Sequence, residues 1–220
     1  MPGSIGEHHL QERHGTTARA RGFYDHQVLD HLNDEMQAFV RRMEMVFVAT
    51  ADGGGEADCS FRSGPAGFVR VVDARALLYP EYRGNGVMGS LGNIVENEHV
   101  GLLFVDFSAC IGLHVNGHAR ILENRELLTS SGAVPDAALA EVLSCGGRAP
   151  ERWVGVDVVE AYIHCSKHIP RMARCPDDGR ARGAEGPVRT GGDFFRAKHS
   201  PRPWVDGPVP AVVAGAEAPA

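Results

Sequence analysis

The hydrophobic residues of this chain change their period near Met45. Over residues 25–42 they recur at spacings of three, four and one, as Val28, Leu29, Leu32, Met36, Phe39 and Val40, with Met43 just beyond. That spacing predicts a helix with one apolar face, and Asp25 can cap its start. Beyond it the apolar residues fall in short runs between Gly- or Asp-bearing turns. Residues 45–50 read as a strand, Asp52-Gly53-Gly54-Gly55 as a hairpin turn and residues 57–61 as the returning strand. Residues 68–72 and 76–79 read as two more strands around Asp73-Ala74-Arg75.

A short helix is predicted over residues 86–96, with Val87, Met88, Leu91, Ile94 and Val95 as its buried side. Residues 100–105 form a continuous apolar run, a strand expected to be buried on both faces. Residues 111–122 read as a long strand whose apolar positions are Leu113, Val115 and Ala119 or Ile121. His114 and His118 then share the opposite face. A helix over 134–143 is closed by Cys145-Gly146-Gly147, and residues 153–163 form the last long strand. So many short strands with tight turns predict a mainly β, α+β chain whose antiparallel strands close toward a barrel.

The two ends differ in texture. Residues 1–22 read as a flexible arm; His8, His9 and His14 in it are expected to be solvated rather than to hold a metal. Residues 23–174 are the barrel domain. Residues 175–220 hold seven Pro and seven Gly and little periodic pattern, so most of this extension is expected to be loop or disorder. Phe194, Phe195 and Trp204 are exceptions, and they predict that residues 191–204 dock near a ligand groove while 208–220 stay mobile.

Composition excludes more than it identifies. The 28 acidic and 22 basic residues give a formal charge of −6, with no basic block, so no nucleic-acid partner is expected. No apolar run is long enough to span a membrane, and the polar N-terminus lacks the apolar core of a signal peptide. Cys59, Cys110, Cys145, Cys165 and Cys175 are odd in number and form no C-x-x-C pair. Reduced thiols and a cytoplasmic location follow.

The candidate chemistry lies between Ser60 and Ile94. Arg62 and Ser63 precede Gly64-Pro65, and Arg83 stands in Tyr82-Arg83-Gly84-Asn85-Gly86, followed by Ser90 and Asn93. Arginine offers a planar fork of donors, glycine lets backbone N–H groups approach, and a helix N-terminus favours an anion. Together they suit a phosphate monoester. Each residue also has a plainer role. Arg62 can pair with an acidic neighbour, Asn85-Gly86 can be a simple turn, Ser90 can face solvent and Asn93 can cross-link the barrel. No Ser-His-Asp or paired-carboxylate arrangement is readable, so no catalytic residue is named.

The order of the pieces resembles the pyridoxamine 5'-phosphate oxidase-like family of flavin-binding split β-barrels. The resemblance spans roughly residues 45–171. It rests on Arg62-Ser63-Gly64-Pro65-Ala66-Gly67-Phe68-Val69, then Gly84-Asn85-Gly86, Ser90-Leu91-Gly92-Asn93-Ile94, the run 101–107, and Ile163-His164-Cys165-Ser166-Lys167. The ordered set is specific where no single motif is. It implies an antiparallel split β-barrel with a few flanking helices. It implies a homodimer with two FMN sites at the interface, each built from both chains, and an oxidoreductase acting on a small molecule. Arg62, Ser63, Arg83, Asn85, Gly86, Ser90 and Asn93 would then hold the cofactor, with Lys167 facing it. The authentic vitamin oxidase carries an Arg-Lys pair after the second turn and this chain does not, which speaks against the vitamin as substrate. The family also implies two alternatives: a deazaflavin F420 cofactor, or haem-handling without turnover. His114, His118 or the arm would supply an iron ligand.

Overall fold

The structure, a computed structural model, describes residues 2–129, 138–140 and 149–174, and in the C-terminal part residues 195, 197, 200 and 202. Two units can be told apart, Met1–Ala173 and Arg174–Ala220. The first holds helices α1 (Ile5–Arg13), α2 (Thr17–Gln27), α3 (Asp34–Arg42), α4 (Gly89–Glu96) and α5 (Asn124–Thr129). Its strands are β1 (Val28–Leu29), β2 (Met45–Ala51), β3 (Ala57–Ser63), β4 (Arg70–Asp73), β5 (Ala76–Glu81), β6 (His99–Asp106), β7 (Ile111–Glu123) and β8 (Arg152–His164).

Every strand pair is antiparallel. The order across the sheet is β3-β2-β6-β7-β8-β5-β4, with β1 added to β8. Val46 and Val48 of β2 lie in one apolar cluster with Val156 of β8 and Leu77 of β5, and Val71 of β4 packs against it. A flat sheet would hold these strands far apart, so the sheet curls round this main core and stays open between β3 and β4. This is the mainly β, antiparallel split barrel with flanking helices. α3 packs Phe39 and Val40 into the core, and α4 adds Leu91 and Ile94.

Three expectations change. The helix expected over 25–42 begins only at Asp34, where Asn33 Oδ1 accepts from Met36 N–H at 2.9 Å. Val28 and Leu29 instead pair with Tyr162 and Ala161, since β-branched and aliphatic residues gain more as an added strand than in a helix with Asp25 at its cap. Asp25 lies inside α2, and α1 and α2 take up most of residues 1–22. The short helix starts at Gly89 rather than 86. Gly86 (φ +85°) and Met88 (φ +56°) hold the preceding residues in a turn, leaving Val87, Met88 and Val95 exposed. Finally, β6 is covered on one face only: Val100, Leu102 and Phe104 point inward, while His99, Gly101 and Leu103 keep access to solvent.

Of the helix predicted over 134–143, residues 138–140 are helical and the rest lie outside the described residues. Ala138 packs with Leu78, Leu127 and Trp153 in a second small cluster. Most of the 191–204 segment also lies outside the described residues, as does 208–220, so its docking stays an expectation. Within the second unit, Arg202 Nη1 donates to the Ser200 carbonyl and Nη2 to the Ala197 carbonyl, each at 2.7 Å. Among the described residues no helix is long and apolar enough to cross a membrane.

The register of β7 against β8 shifts at Asn116/Gly117. A Cβ on Gly117 would lie inside van der Waals contact of the Asp157 carbonyl and 3.2 Å from Val156 Cγ1. Gly117→Ala is therefore expected to destabilise the barrel by about 1–3 kcal/mol through overpacking. Urea denaturation should show a lower midpoint at unchanged slope.

Candidate functional site

A cleft of about 800 Å³ opens where β3, the end of β5, the turn before α4 and the start of β8 meet. Strand alternation decides which β3 residues face it. Asp58, Ser60 and Arg62 point into the cleft; Cys59, Phe61 and Ser63 point to the other face. Arg62 and Ser63 are strand neighbours and cannot both face one ligand, so Ser63 is removed from the site expected for it. Arg62 itself sits in a strand rather than in a glycine turn.

Arg62 is already engaged. Its Nε donates to Glu81 Oε1 at 2.8 Å, Nη2 to Ser90 Oγ at 2.7 Å and Nη1 to the Phe61 carbonyl at 3.2 Å. Glu81 and Ser90 are buried. The ion pair joins β3 to the end of β5, and the serine bond joins β3 to α4. Tyr79 stands beneath this pair; burial first, then the Glu81 charge, holds its phenol above the ordinary range, with Arg62 opposing. Glu81 lacks any motif signature, and its pairing partner lies nineteen residues away.

The turn before α4 supplies donors that are still free. Asn85 Oδ1 accepts from Val87 N–H at 3.0 Å, which fixes the turn and commits that oxygen. Met88 is the N-cap of α4 and makes no side-chain cap bond, so the first-turn N–H groups gain no such partner. Arg83 is exposed and carries no hydrogen bond or ion pair among the described residues. Arg152, at the first position of β8, lines the same cleft; its Nη1 reaches Met88 Sδ at 3.6 Å, and its buried Nε has no partner among the described residues. Sequence reading passed over Arg152 because it opens a strand with no glycine beside it. Acidic groups temper this cleft: Asp58 and Glu151 line it too, and Asp58 Oδ2 lies close to Gly89.

The structure thus brings together Arg62, Arg83, Asn85, Gly86 and Ser90 of the eight expected residues. Asn93 takes the structural alternative: its Nδ2 donates to Thr50 Oγ1 at 3.0 Å and ties α4 to β2. Lys167 lies in a 3-10 turn after the far end of β8, whereas Arg152 at its near end lines the cleft. Thirteen strand residues separate those ends, roughly 40 Å at about 3.3 Å each. Within one chain Lys167 is out of reach.

A second cluster lies on the outward face of the sheet. His114 Nε2 and His164 Nδ1 are 2.8 Å apart, and the His114 ring stacks on Tyr162 at 4.7 Å. Burial, then the neighbouring His164 charge, lowers the His114 pKa below 6.5, against a smaller opposing pull from Glu160. A depressed histidine binds its proton more readily in the unfolded chain. The stability it contributes is complete above the unfolded value, near 6.5, and is lost as pH falls through the folded one. Thermal unfolding should fall between pH 7.5 and 5, and His114→Gln should flatten that slope. An NMR titration placing His114 above 6.5 would contradict the assignment.

The fold is an antiparallel split barrel with an arginine-lined cleft at the start of α4. The family model described as pyridoxamine 5'-phosphate oxidase matches residues 32–165, and the chain belongs to that family. A comparison with curated proteins gave no match. Among solved structures, HupZ of Group A Streptococcus is 20% identical at a TM-score of 0.45, covering 64% of this chain and 99% of its own. HutZ, the heme storage protein from Vibrio cholerae, is 12% identical at 0.41, covering 60% and 93%. An FMN-binding protein from Syntrophomonas wolfei is 9% identical at 0.43, covering 72% and 97%. Likenesses this distant add nothing on function.

Proposed function

We propose that this chain is a cytoplasmic, homodimeric flavoprotein, an FMN-dependent oxidoreductase acting on a small molecule. The observation that carries the reading is the set of unspent donors around one point. Arg83, the buried Nε of Arg152 and the uncapped start of α4 all border the same cleft. These donors fit a phosphate monoester, which accepts from guanidinium forks and helix N–H groups together. FMN, when bound, supplies two-electron redox chemistry; the protein's part is binding, orientation and electrostatics. Arg83 and Arg152 would grip the phosphate. Ser90 would orient Arg62, and Glu81 would hold that guanidinium at the cleft wall. The exposed Val87 and Met88 stand beside the donors and offer apolar surface to a ring system. A cofactor contact by Lys167 would require a site built from two chains.

The absorption spectrum of purified protein tests the reading. A two-banded flavin spectrum, with FMN identified by mass spectrometry after release, is the expected outcome. A Soret band would point to haem instead, and a deazaflavin mass to F420. His114 is the weaker haem ligand on this geometry, because its Nε2 is committed to His164.

A further inference from the structure

The two arm helices lie beside the barrel without a core of their own. α1 and α2 bury no residue. Helices of nine and eleven residues are marginal in water on their own. What ties the arm down is local: β1 pairs Val28 and Leu29 with β8, and the Phe23 ring stands 6.0 Å from Tyr162 at 81°. Between these helices and β8 a cavity of about 390 Å³ is left open, the size of a small-molecule site.

Aromatic rings and carboxylates line it. Phe23 and Tyr24 come from α2, Tyr162 and Glu160 from β8, and Glu7 from α1. The near-perpendicular Phe23 and Tyr162 rings form a corner, and the stacked His114 ring covers one face of Tyr162. Gly3 (φ +95°) lines the cavity too. A Cβ on it would lie 2.6 Å from the Tyr24 hydroxyl and 2.8 Å from Glu7 Oε2, so those two groups converge on one point. Each carboxylate has one oxygen engaged: Glu7 Oε2 accepts from the Ser4 N–H, and Glu160 Oε1 from Asn116 Nδ2 at 2.8 Å. The second oxygen of each makes no hydrogen bond among the described residues. Burial raises the Tyr162 pKa against an opposing Asn116 hydrogen bond, and the charges of Glu160 and Glu7 add to the rise. Both carboxylates therefore act on the same ring. Arg19 borders the cavity but is exposed, and among the described residues it pairs with neither carboxylate.

We propose that this cavity binds an aliphatic ammonium ion, which donates N–H bonds to Glu7 and Glu160 and rests its charge against the Phe23 and Tyr162 rings. Aromatic faces attract a cation, and charge-assisted bonds to carboxylate oxygens fix its position. A neutral apolar ligand would strip water from those oxygens and return nothing. The cavity shares no lining residue with the arginine cleft. Glu160 lies eight residues along β8 from Arg152, roughly 26 Å at about 3.3 Å each. The inference is independent of the FMN reading.

Isothermal titration of the full chain with 1,4-diammoniobutane, in an amine-free buffer of low ionic strength, tests it. Saturable binding is expected, and its neutral counterpart 1,4-butanediol should bind at least about tenfold more weakly. Glu160→Gln and Phe23→Leu should each weaken the diamine about fivefold. Arg19→Ala should tighten it about threefold by removing a like charge, a change of sign that misfolding cannot mimic. Amide exchange across residues 5–27 should slow when the diamine is added, because the ligand bridges α1, α2 and β8. Absence of saturable binding would overturn the proposal, as would equal affinity for the diol. Weaker binding in Arg19→Ala would overturn it too, since the site would then be reading an anion.

Discussion

Arg152→Ala is expected to weaken FMN binding about a hundredfold, and Arg83→Ala about tenfold. Both lose a charge-assisted contact to phosphate, worth about 1.5–3 kcal/mol. The difference comes from burial. Arg83 is exposed, so water recovers part of what its removal costs. The Arg152 Nε is out of water and unpartnered, so a phosphate oxygen there gains a contact with no solvent competitor. Arg152→Lys should recover only part of the loss, because an ammonium keeps the charge but not the planar fork. Quenching of flavin fluorescence on titration into apo-protein measures all three. Wild-type affinity in both alanine variants would move the phosphate site away from this cleft.

Removing the Glu81 carboxylate should have the largest effect on the fold. The side chains of Arg62 and Glu81 are 22% and 10% exposed, so Glu81→Ala leaves a mostly buried guanidinium without its counter-charge. Loss of one partner of such a pair costs about 3 kcal/mol, on the order of 10 °C in Tm for a chain of this size. The double variant Arg62→Met/Glu81→Met should recover most of that stability, since removing both charges removes the burial penalty with them. Added inorganic phosphate should raise the Tm of Glu81→Ala more than that of the wild type, by giving Arg62 a replacement anion. Scanning calorimetry decides this: a Glu81→Ala Tm close to wild type would mean that water already screens the pair.

The β-rich class was legible in the sequence because turns and period-two strands are local. The segments 45–50, 57–61 and 76–79 each lie within the observed β2, β3 and β5. The turn before α4 was legible too, since Gly84, Asn85 and Gly86 announce a tight turn; Gly86 does take a positive φ. The helix over 25–42 was misread because its apolar spacing also fits a short strand, a loop and a shorter helix. What separates these is β8, over a hundred residues away, which offers Val28 and Leu29 a ladder.

Sequence alone determined the family, the strand segments and the arginine turn, all carried by residues close together along the chain. Tertiary structure alone decided how those residues are spent. Strand alternation sent Ser63 to the face opposite Arg62. The fold brought Glu81 against Arg62, and Arg152 beside Met88, across 64 residues. It placed Asn93 against Thr50 and Lys167 at the far end of β8. A side chain's local pattern fixes the chemistry it can offer. Which partner it meets depends on the closure of the sheet, and that is set by contacts between strands far apart in sequence.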